Sequence, residues 1–221
     1  MLSPAAGPTL LGMDAHAWDE RYAVTDLVWS REPNRFVAAE LAALPPGTAV
    51  DLAAGEGRNA IWLASRGWSA IAVDFSQVAL DKGARLAADD PSGLDVTWVR
   101  ADATTWKPAE PVDLVVVAYL QVPAGDRRRA VRNAVRMLRP GGTFLLVAHD
   151  STNLTDGTGG PQDPAVLMTA QDVVGDLTST PDLDVEVLRA ERVAREVTAA
   201  DGHGGEERRT AWDCLVRVVR R

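Results

Sequence analysis

The sequence predicts an α/β fold, a doubly wound sheet that is parallel over most of its width and ends in an antiparallel hairpin. Two observations carry this reading. Between residues 48 and 148, apolar runs of strand length alternate with helix-length segments. That is the pattern of a parallel sheet with helices on both faces. Beyond it, two long β-type runs at 183–197 and 208–219 are joined by the loop AADGHGGEE, which reads as a hairpin.

Each element has its own signal. Residues 14–22 and 32–44 read as helices that precede the sheet. After Pro45-Pro46-Gly47, the short apolar run 48–53 is the first strand. Arg58–Ser65 is helical because Ala60, Ile61, Leu63 and Ala64 fall largely on one face, and Gly67 caps its end. Residues 69–73 form a second strand, and 76–88 a second helix with Ser76 as N-cap. Residues 95–100 are the third strand. Val112–Ala118 is a continuous apolar run of the kind buried on both faces. A helix over 126–138 is stopped by Arg139-Pro140-Gly141-Gly142, and 143–148 is the fifth strand. The connection DSTNLTDGTGGPQDP at 150–164 is polar and turn-rich. Loops of that length are usually functional or disordered. No internal repeat is present.

Composition narrows the functional classes. A chain of 221 residues fits one α/β domain, here 14–221 after a flexible tail over 1–13. Acidic residues outnumber basic ones 31 to 23, for a net charge of -8. That field repels phosphate backbones and argues against nucleic-acid binding. The single cysteine, Cys214, rules out an intramolecular disulfide and fits a reducing compartment. The N-terminus lacks the basic and continuous apolar regions of a signal peptide. No stretch approaches the ~18 apolar residues of a membrane span, so a cytoplasmic protein without a membrane partner is expected. Oligomeric state is not legible. No His/Cys/Glu cluster at ligand spacing suggests a metal.

In doubly wound sheets, ligands bind outside the carboxyl ends of the strands. The first strand here runs into Ala53-Ala54-Gly55-Glu56-Gly57. Its glycines allow a tight turn and a close approach by a ligand. Alone, Gly55-x-Gly57-x-x-Ala60 fits a dinucleotide equally well, so an NAD-dependent oxidoreductase is an alternative reading. Three acids weigh against it. Asp51 lies in the first strand, Asp74 ends the second, and Asp102 follows the third. Asp74 is placed for the two ribose hydroxyls of an adenosine, Asp102 for an adenine amino group, and Asp51 for a cationic amino-acid end. Such an acidic edge suits a sulfonium compound with an ammonium group better than a pyrophosphate.

The segments VDLAAGEGRNA, AIAVDFS, VRADATTW, DLVVVAYLQVP and LRPGGTFLLVAHD resemble the ordered motifs of class I S-adenosylmethionine-dependent methyltransferases. The resemblance is nearest to small bacterial enzymes of the tellurite-resistance and thiopurine type. It implies a Rossmann-like seven-stranded sheet with a terminal antiparallel hairpin. It also implies S-adenosyl-L-methionine as cofactor, S-adenosyl-L-homocysteine as product and a small-molecule acceptor. Carried over residue by residue, Gly55 and Gly57 meet the methionine part, with Arg58 beside them. Asp74 holds the ribose next to Phe75, Asp102 and Ala103 contact adenine, and Tyr119 borders the methyl group. One position departs: many members have glycine where Ala53 stands, which alanine tolerates if its φ is negative. A fold that binds the cofactor without catalysis is the remaining alternative.

Methyl transfer is an in-line displacement that needs nucleophile and methyl held near attack distance. A general base is needed only if the nucleophile carries a proton that must leave. His149, which ends the fifth strand, is the leading candidate base. His16 is a weaker one, and His203 is expected to be solvated. Tyr119 and Asp150 are candidates to orient a substrate hydroxyl, with Gln121 nearby. Trp18, Tyr22 and Trp29 have spacings that could line an apolar pocket, the segment 14–44 is expected to cover the site, and Trp29 or its neighbours are expected to approach the methyl donor. Trp106 is expected at the surface or a strand end.

Overall fold

The computed structural model describes residues 15–24, 27–28, 30–200 and 206–221. The tail over 1–13, Trp29, His203 and the tip of the hairpin lie outside the described residues. So does the His16 side chain, although its backbone belongs to the first helix.

Two helices lead in, α1 (Ala15–Ala23) and α2 (Arg35–Leu41). The alternation then runs β1 (Thr48–Leu52), α3 (Arg58–Ser65), β2 (Ser69–Asp74), α4 (Gln77–Ala88), β3 (Val96–Arg100), β4 (Val112–Ala118), α5 (Ala124–Arg136), β5 (Leu138–His149). It closes with α6 (Ala170–Thr178), β6 (Val185–Ala200) and β7 (Glu206–Arg220). One seven-stranded sheet results, in the order β3-β2-β1-β4-β5-β7-β6. The first five strands pair in parallel, and β7 pairs antiparallel with both β5 and β6. The predicted sheet and its terminal hairpin are therefore observed.

The alternation of side chains along each strand builds two cores. Val50, Leu52, Val115, Val117, Phe144, Leu146 and Val216 pack on one face, with Val131, Val135 of α5 and Val173, Leu177 of α6. Ala49, Ala70, Ala72, Leu114, Val116, Leu145, Val147 and Leu215 pack on the other, with Val37 of α2 and Ala60, Leu63 of α3. Strands covered on both sides read as near-continuous apolar runs, which is why Val112–Ala118 was legible.

Several expectations are corrected. The helix expected over 32–44 is confined to Arg35–Leu41, because Asn34 caps it through its side chain and Pro45-Pro46 lies ahead. Helix α6 was not singled out from the sequence, although Thr169 and Asp172 form its capping box. β5 begins at Leu138, and a register shift follows before Thr143. Trp106 is a core-packing residue, half-buried against the α5 face, not a surface one. The connection 150–164 is ordered by short 3-10 turns at Ser151–Leu154 and Pro164–Val166. Asn153 pins it to β7, since its amide donates to the Trp212 carbonyl at 2.6 Å and accepts from the Trp212 amide at 2.7 Å.

One wedge fixes how α4 meets the glycine turn. The Trp98 ring of β3 fills the space that a Cβ on Gly57 or on Gly83 would occupy, 2.4 Å away in each case. A Cβ on Gly83 would also lie 2.7 Å from the Glu56 carbonyl oxygen. Gly→Ala in a helix interior ordinarily stabilises by up to about 1 kcal/mol. Here the backbone oxygen cannot swing aside. Gly83→Ala should instead destabilise by about 2 kcal/mol, read as a lower midpoint in urea. A variant as stable as the parent would refute the wedge.

Candidate active site

Strand order reverses between β1 and β4, which places a crevice beyond their carboxyl ends. Among the described residues, the two non-glycine residues with positive φ sit there. Ala53 follows β1 with φ 56° and Tyr119 follows β4 with φ 60°. A left-handed conformation costs an L-residue roughly 1–2 kcal/mol, and such strain tends to gather at functional sites. The condition under which alanine would be tolerated there, a negative φ, is thus not met. The turn holds alanine in the conformation that glycine favours, because the Ala54 amide donates to the Val73 carbonyl at 3.0 Å and the Gly55 amide to Asp74 at 2.8 Å.

The glycine turn divides its labour. Gly55 and Gly57 both have positive φ, 57° and 73°, and Gly57 is the N-cap of α3. The missing Cβ of Gly57 accommodates Trp98. Asp51 projects to the same face as α3, and its Oδ2 accepts the Ala60 amide at 3.2 Å. Its Oδ1 is buried with no hydrogen-bond partner. Burial pushes the Asp51 carboxyl up to about 7, although the Ala60 amide and the Arg58 guanidinium oppose this. Burial likewise holds Arg58 below its usual value, against the pull of Tyr119 and Asp51.

Asp74 is also raised by burial, with the Ser76, Gly55 and Phe75 amides opposing. Its Oδ1 accepts from Ser76 at 2.9 Å and its Oδ2 from Gly55 at 2.8 Å. Each oxygen keeps a lone pair for a further donor. Phe75 is half-buried beside it. Asp102 is exposed after β3, and Thr104 donates twice to its Oδ1, both at 2.8 Å. Ala103 is buried in the core.

Helix α1 docks against this edge. Asp19 accepts from the Ser76 hydroxyl and from the Val78 amide, and Lys82 donates to the Tyr22 carbonyl. Tyr22 is buried, and Trp18 packs on it with ring centroids 5.7 Å apart. The Val28 amide donates to both oxygens of Glu56, at 3.1 Å each.

Across the crevice lies a cluster that sequence reasoning found only in part. His149 and Asp213 are direct cross-strand partners in β5 and β7. Asp213 has no exposed surface. Its Oδ2 accepts from the Tyr119 hydroxyl at 2.9 Å and from Arg195 Nε at 2.7 Å. His149 Nδ1 is buried 3.4 Å from Asp213 Oδ1, outside hydrogen-bond geometry. The Tyr119 and His149 rings pack at 4.6 Å. Burial opposes the Asp213 charge, yet its contacts with His149, Arg195 and Tyr119 hold its carboxyl below the usual range. Burial and that carboxylate push the Tyr119 phenol upward, so it remains a donor. Asp213 and Arg195 were missed. The legible signal was an acid inside the apolar run AWDCLVRVV, a placement tolerated only with partners.

Gln121 and Asp150 are occupied structurally. Gln121 accepts from the His149 amide at 2.9 Å and donates to the Val166 carbonyl at 2.7 Å. Buried Asp150 caps the turn at Ser151–Leu154 through Thr152. Among the described residues, no group of three His, Cys, Asp or Glu could hold a metal, and no helix is long and apolar enough to cross a membrane.

Residues 49–142 match the family model of a methyltransferase domain. Thiocyanate methyltransferase 1 of Brassica oleracea is 28% identical over 133 residues, 59% of this chain and 58% of that protein. The chain thus spans less than two thirds of that relative. Among solved structures, the N-methyltransferase NodS of Bradyrhizobium japonicum WM9, in complex with S-adenosyl-L-homocysteine, has a TM-score of 0.67 at 18% identity, covering 94% of this chain and 99% of that one. TehB from Haemophilus influenzae has a TM-score of 0.65 at 16% identity, covering 92% and 66%. At these identities the structural likeness is one of fold.

The raised Asp51 carboxyl has a consequence for stability. Unfolded, an aspartate titrates near ~3.9, so the folded state holds the proton more tightly. Its contribution is full below that pH and is lost as pH rises through about 7. A shift of that size corresponds to roughly 4 kcal/mol. Asp51→Asn should therefore gain stability over the parent as pH rises from about 4 to 8, measured by urea unfolding without cofactor. A gap that fails to widen would contradict the buried position of Asp51.

Proposed function

We propose that this chain, whose residues 49–142 match the family model of a methyltransferase domain, is a class I S-adenosylmethionine-dependent methyltransferase that transfers a methyl group to a small-molecule acceptor. The observation that carries the reading is the orphaned, buried Oδ1 of Asp51 beside the glycine turn. An ammonium group placed there would satisfy the oxygen and favour the ionised acid.

The residues present fit the cofactor. Asp51 takes the ammonium of its amino-acid end, and Arg58, close by, suits the carboxylate. Asp74 retains lone pairs for two ribose hydroxyls. Asp102 uses Oδ1 for Thr104 and offers Oδ2 to an adenine amino group. When bound, the cofactor supplies an electrophilic methyl on a sulfonium, which a nucleophile displaces in line. Tyr119, strained and anchored to Asp213, forms the wall next to that methyl. The docking of α1 on α4 through Asp19 and Lys82 supports residues 14–44 as a cover that excludes water.

Small-molecule chemistry is supported by the relative named for thiocyanate. A partly apolar or aromatic acceptor is supported by buried Tyr22 and its partner Trp18. The dinucleotide reading of Gly55-x-Gly57-x-x-Ala60 has lost its ground. A pyrophosphate would face two buried carboxylates, Asp51 and Asp74.

Titration calorimetry with S-adenosyl-L-homocysteine is the first test. Binding is expected with release of a proton near pH 6 to 7, because an ammonium beside Asp51 lowers its pKa. Asp74→Ala should weaken binding at least ~10-fold, the loss of about one charged hydrogen bond. No binding by the parent chain would end the reading. A labelled-methyl screen over phenols, quinolones, thiols, thiocyanate, selenite and tellurite would then identify the acceptor. Bound product without transfer to any of them would favour a non-catalytic module.

A further inference from the structure

The register of the terminal hairpin does more than complete the sheet. It sets His149 of β5 and Val193 of β6 on either side of Asp213 in β7. Side-chain alternation sends residues 145, 147 and 149 of β5 and 213 and 215 of β7 to the α3 face. Residues 193 and 195 of β6 share that face. A fully buried carboxylate therefore stands between an imidazole and a guanidinium, at the edge where Tyr119 follows β4.

We infer that His149 is a general base oriented by Asp213, and that the acceptor is a nucleophile carrying a proton, such as a hydroxyl or a ring N–H. The inference rests on the methyltransferase reading of the same site.

The geometry supplies each part. His149 Nδ1 is buried 3.4 Å from Asp213 Oδ1; tightened to a hydrogen bond when the site is loaded, that contact would hold the ring proton on Nδ1 and present Nε2 as acceptor. The ring cannot turn freely. Tyr119 packs on it at 4.6 Å, and a Cβ on Gly160 would come within 2.8 Å of it. The connection 150–164 thus works as a clamp on the imidazole. The arrangement is that of a base held by a third group. Asp213 is a positioning residue, because it faces the ring and, fully buried, has no surface to offer a substrate.

The proton balance is simple. As the acceptor's lone pair forms the new bond to the methyl carbon, the carbon–sulfur bond breaks and its electron pair stays on sulfur. The acceptor's proton passes to Nε2. The imidazolium so formed lies beside the Asp213 carboxylate and later returns the proton to solvent. Thiocyanate, the substrate named for the relative, is already an anion and would need no such base.

The charged and titratable groups around the ring give opposing tests. Asp213 of β7, Arg195 of β6 and the Tyr119 hydroxyl after β4 surround the ring and its carboxylate partner; Asp150 is its chain neighbour, and Arg58 of α3 acts on Tyr119 and Arg195. NMR titration of the histidine ring signals needs neither cofactor nor acceptor, and His149→Gln assigns the signal among the three histidines. Asp213→Asn removes a negative charge and should lower the His149 titration midpoint by about one pH unit. Arg195→Gln removes a positive charge and should raise it by about half a unit. Midpoints that stay put, or move in the same direction, overturn the inference. If Asp213→Asn does not fold, Arg195→Gln decides alone, and an unchanged or lowered midpoint overturns it.

With labelled cofactor, the acid limb of the pH profile for phenol methylation should follow the same two shifts. His149→Gln should lose roughly 100-fold or more in rate. Phenol methylation undiminished in that variant, or thiocyanate methylated by the parent faster than any phenol, also overturns it. Failure of the parent to bind S-adenosyl-L-homocysteine would instead strike the methyltransferase reading and leave the titration result standing.

Discussion

The reversal of strand order between β1 and β4 is the constraint from which the rest of this structure follows. Right-handed crossovers send α3 and α4 to one face of the sheet and α5 to the other. The two sets of connections part at the reversal, and a crevice opens beyond the strand ends. The chain must leave both central strands sharply there. It does so through left-handed backbone at Ala53 and Tyr119, two residues without glycine's freedom. Hydrogen bonds donated by the Ala54 and Gly55 amides to the neighbouring strand and to Asp74 hold the first in place. The Tyr119 hydroxyl, tied to Asp213, anchors the second.

Three of the buried carboxylates, Asp51, Asp74 and Asp213, face different electrostatic surroundings. Asp51 and Asp74 are desolvated without a full complement of cations, so burial dominates and both are raised. Asp213 is at least as buried by surface area, yet it is lowered, because Arg195, His149 and Tyr119 surround it. One pair is thus short of positive charge and suited to receive a cation. The other is already compensated and suited to hold its neighbours in place. Both arrangements cost stability relative to an apolar core. That cost is consistent with retention for function, and the two classes of acid lie on opposite sides of the same crevice.

The hairpin shows how a structural element becomes part of a site. Its pairing with β5 closes the sheet, and the same register aligns Asp213 with His149. The connection after β5 is long, but Asn153 binds it to β7 as a strand would, and Gly160 rests against the imidazole. This polar, turn-rich segment is therefore a fixed wall of the crevice. Gln121, anchored between the His149 amide and the Val166 carbonyl, ties that wall to the end of β4.

The sequence by itself determined the fold class, the alternation of elements and the acidic edge proposed for the cofactor. Each rests on local information: apolar runs buried on two faces, glycines at a strand-to-helix turn, and acids at successive strand ends. Asp51, Asp74 and Asp102 could be read because their positions relative to their own strands are a matter of counting. The tertiary structure decided the cluster proposed for the acceptor side. Asp213 and Arg195 lie about 65 and 45 residues beyond His149. Their meeting depends on the register of β7 against β5 and β6, and a slip of one residue would turn Asp213 to the opposite face. The sign of φ at Ala53 was likewise undecidable from residue type. It follows from how β1, β2 and the Asp74 carboxylate grip the turn. Local periodicity writes the elements into the chain, but which side chains share a crevice is set by long-range pairing, and one strand alone carries no record of its register.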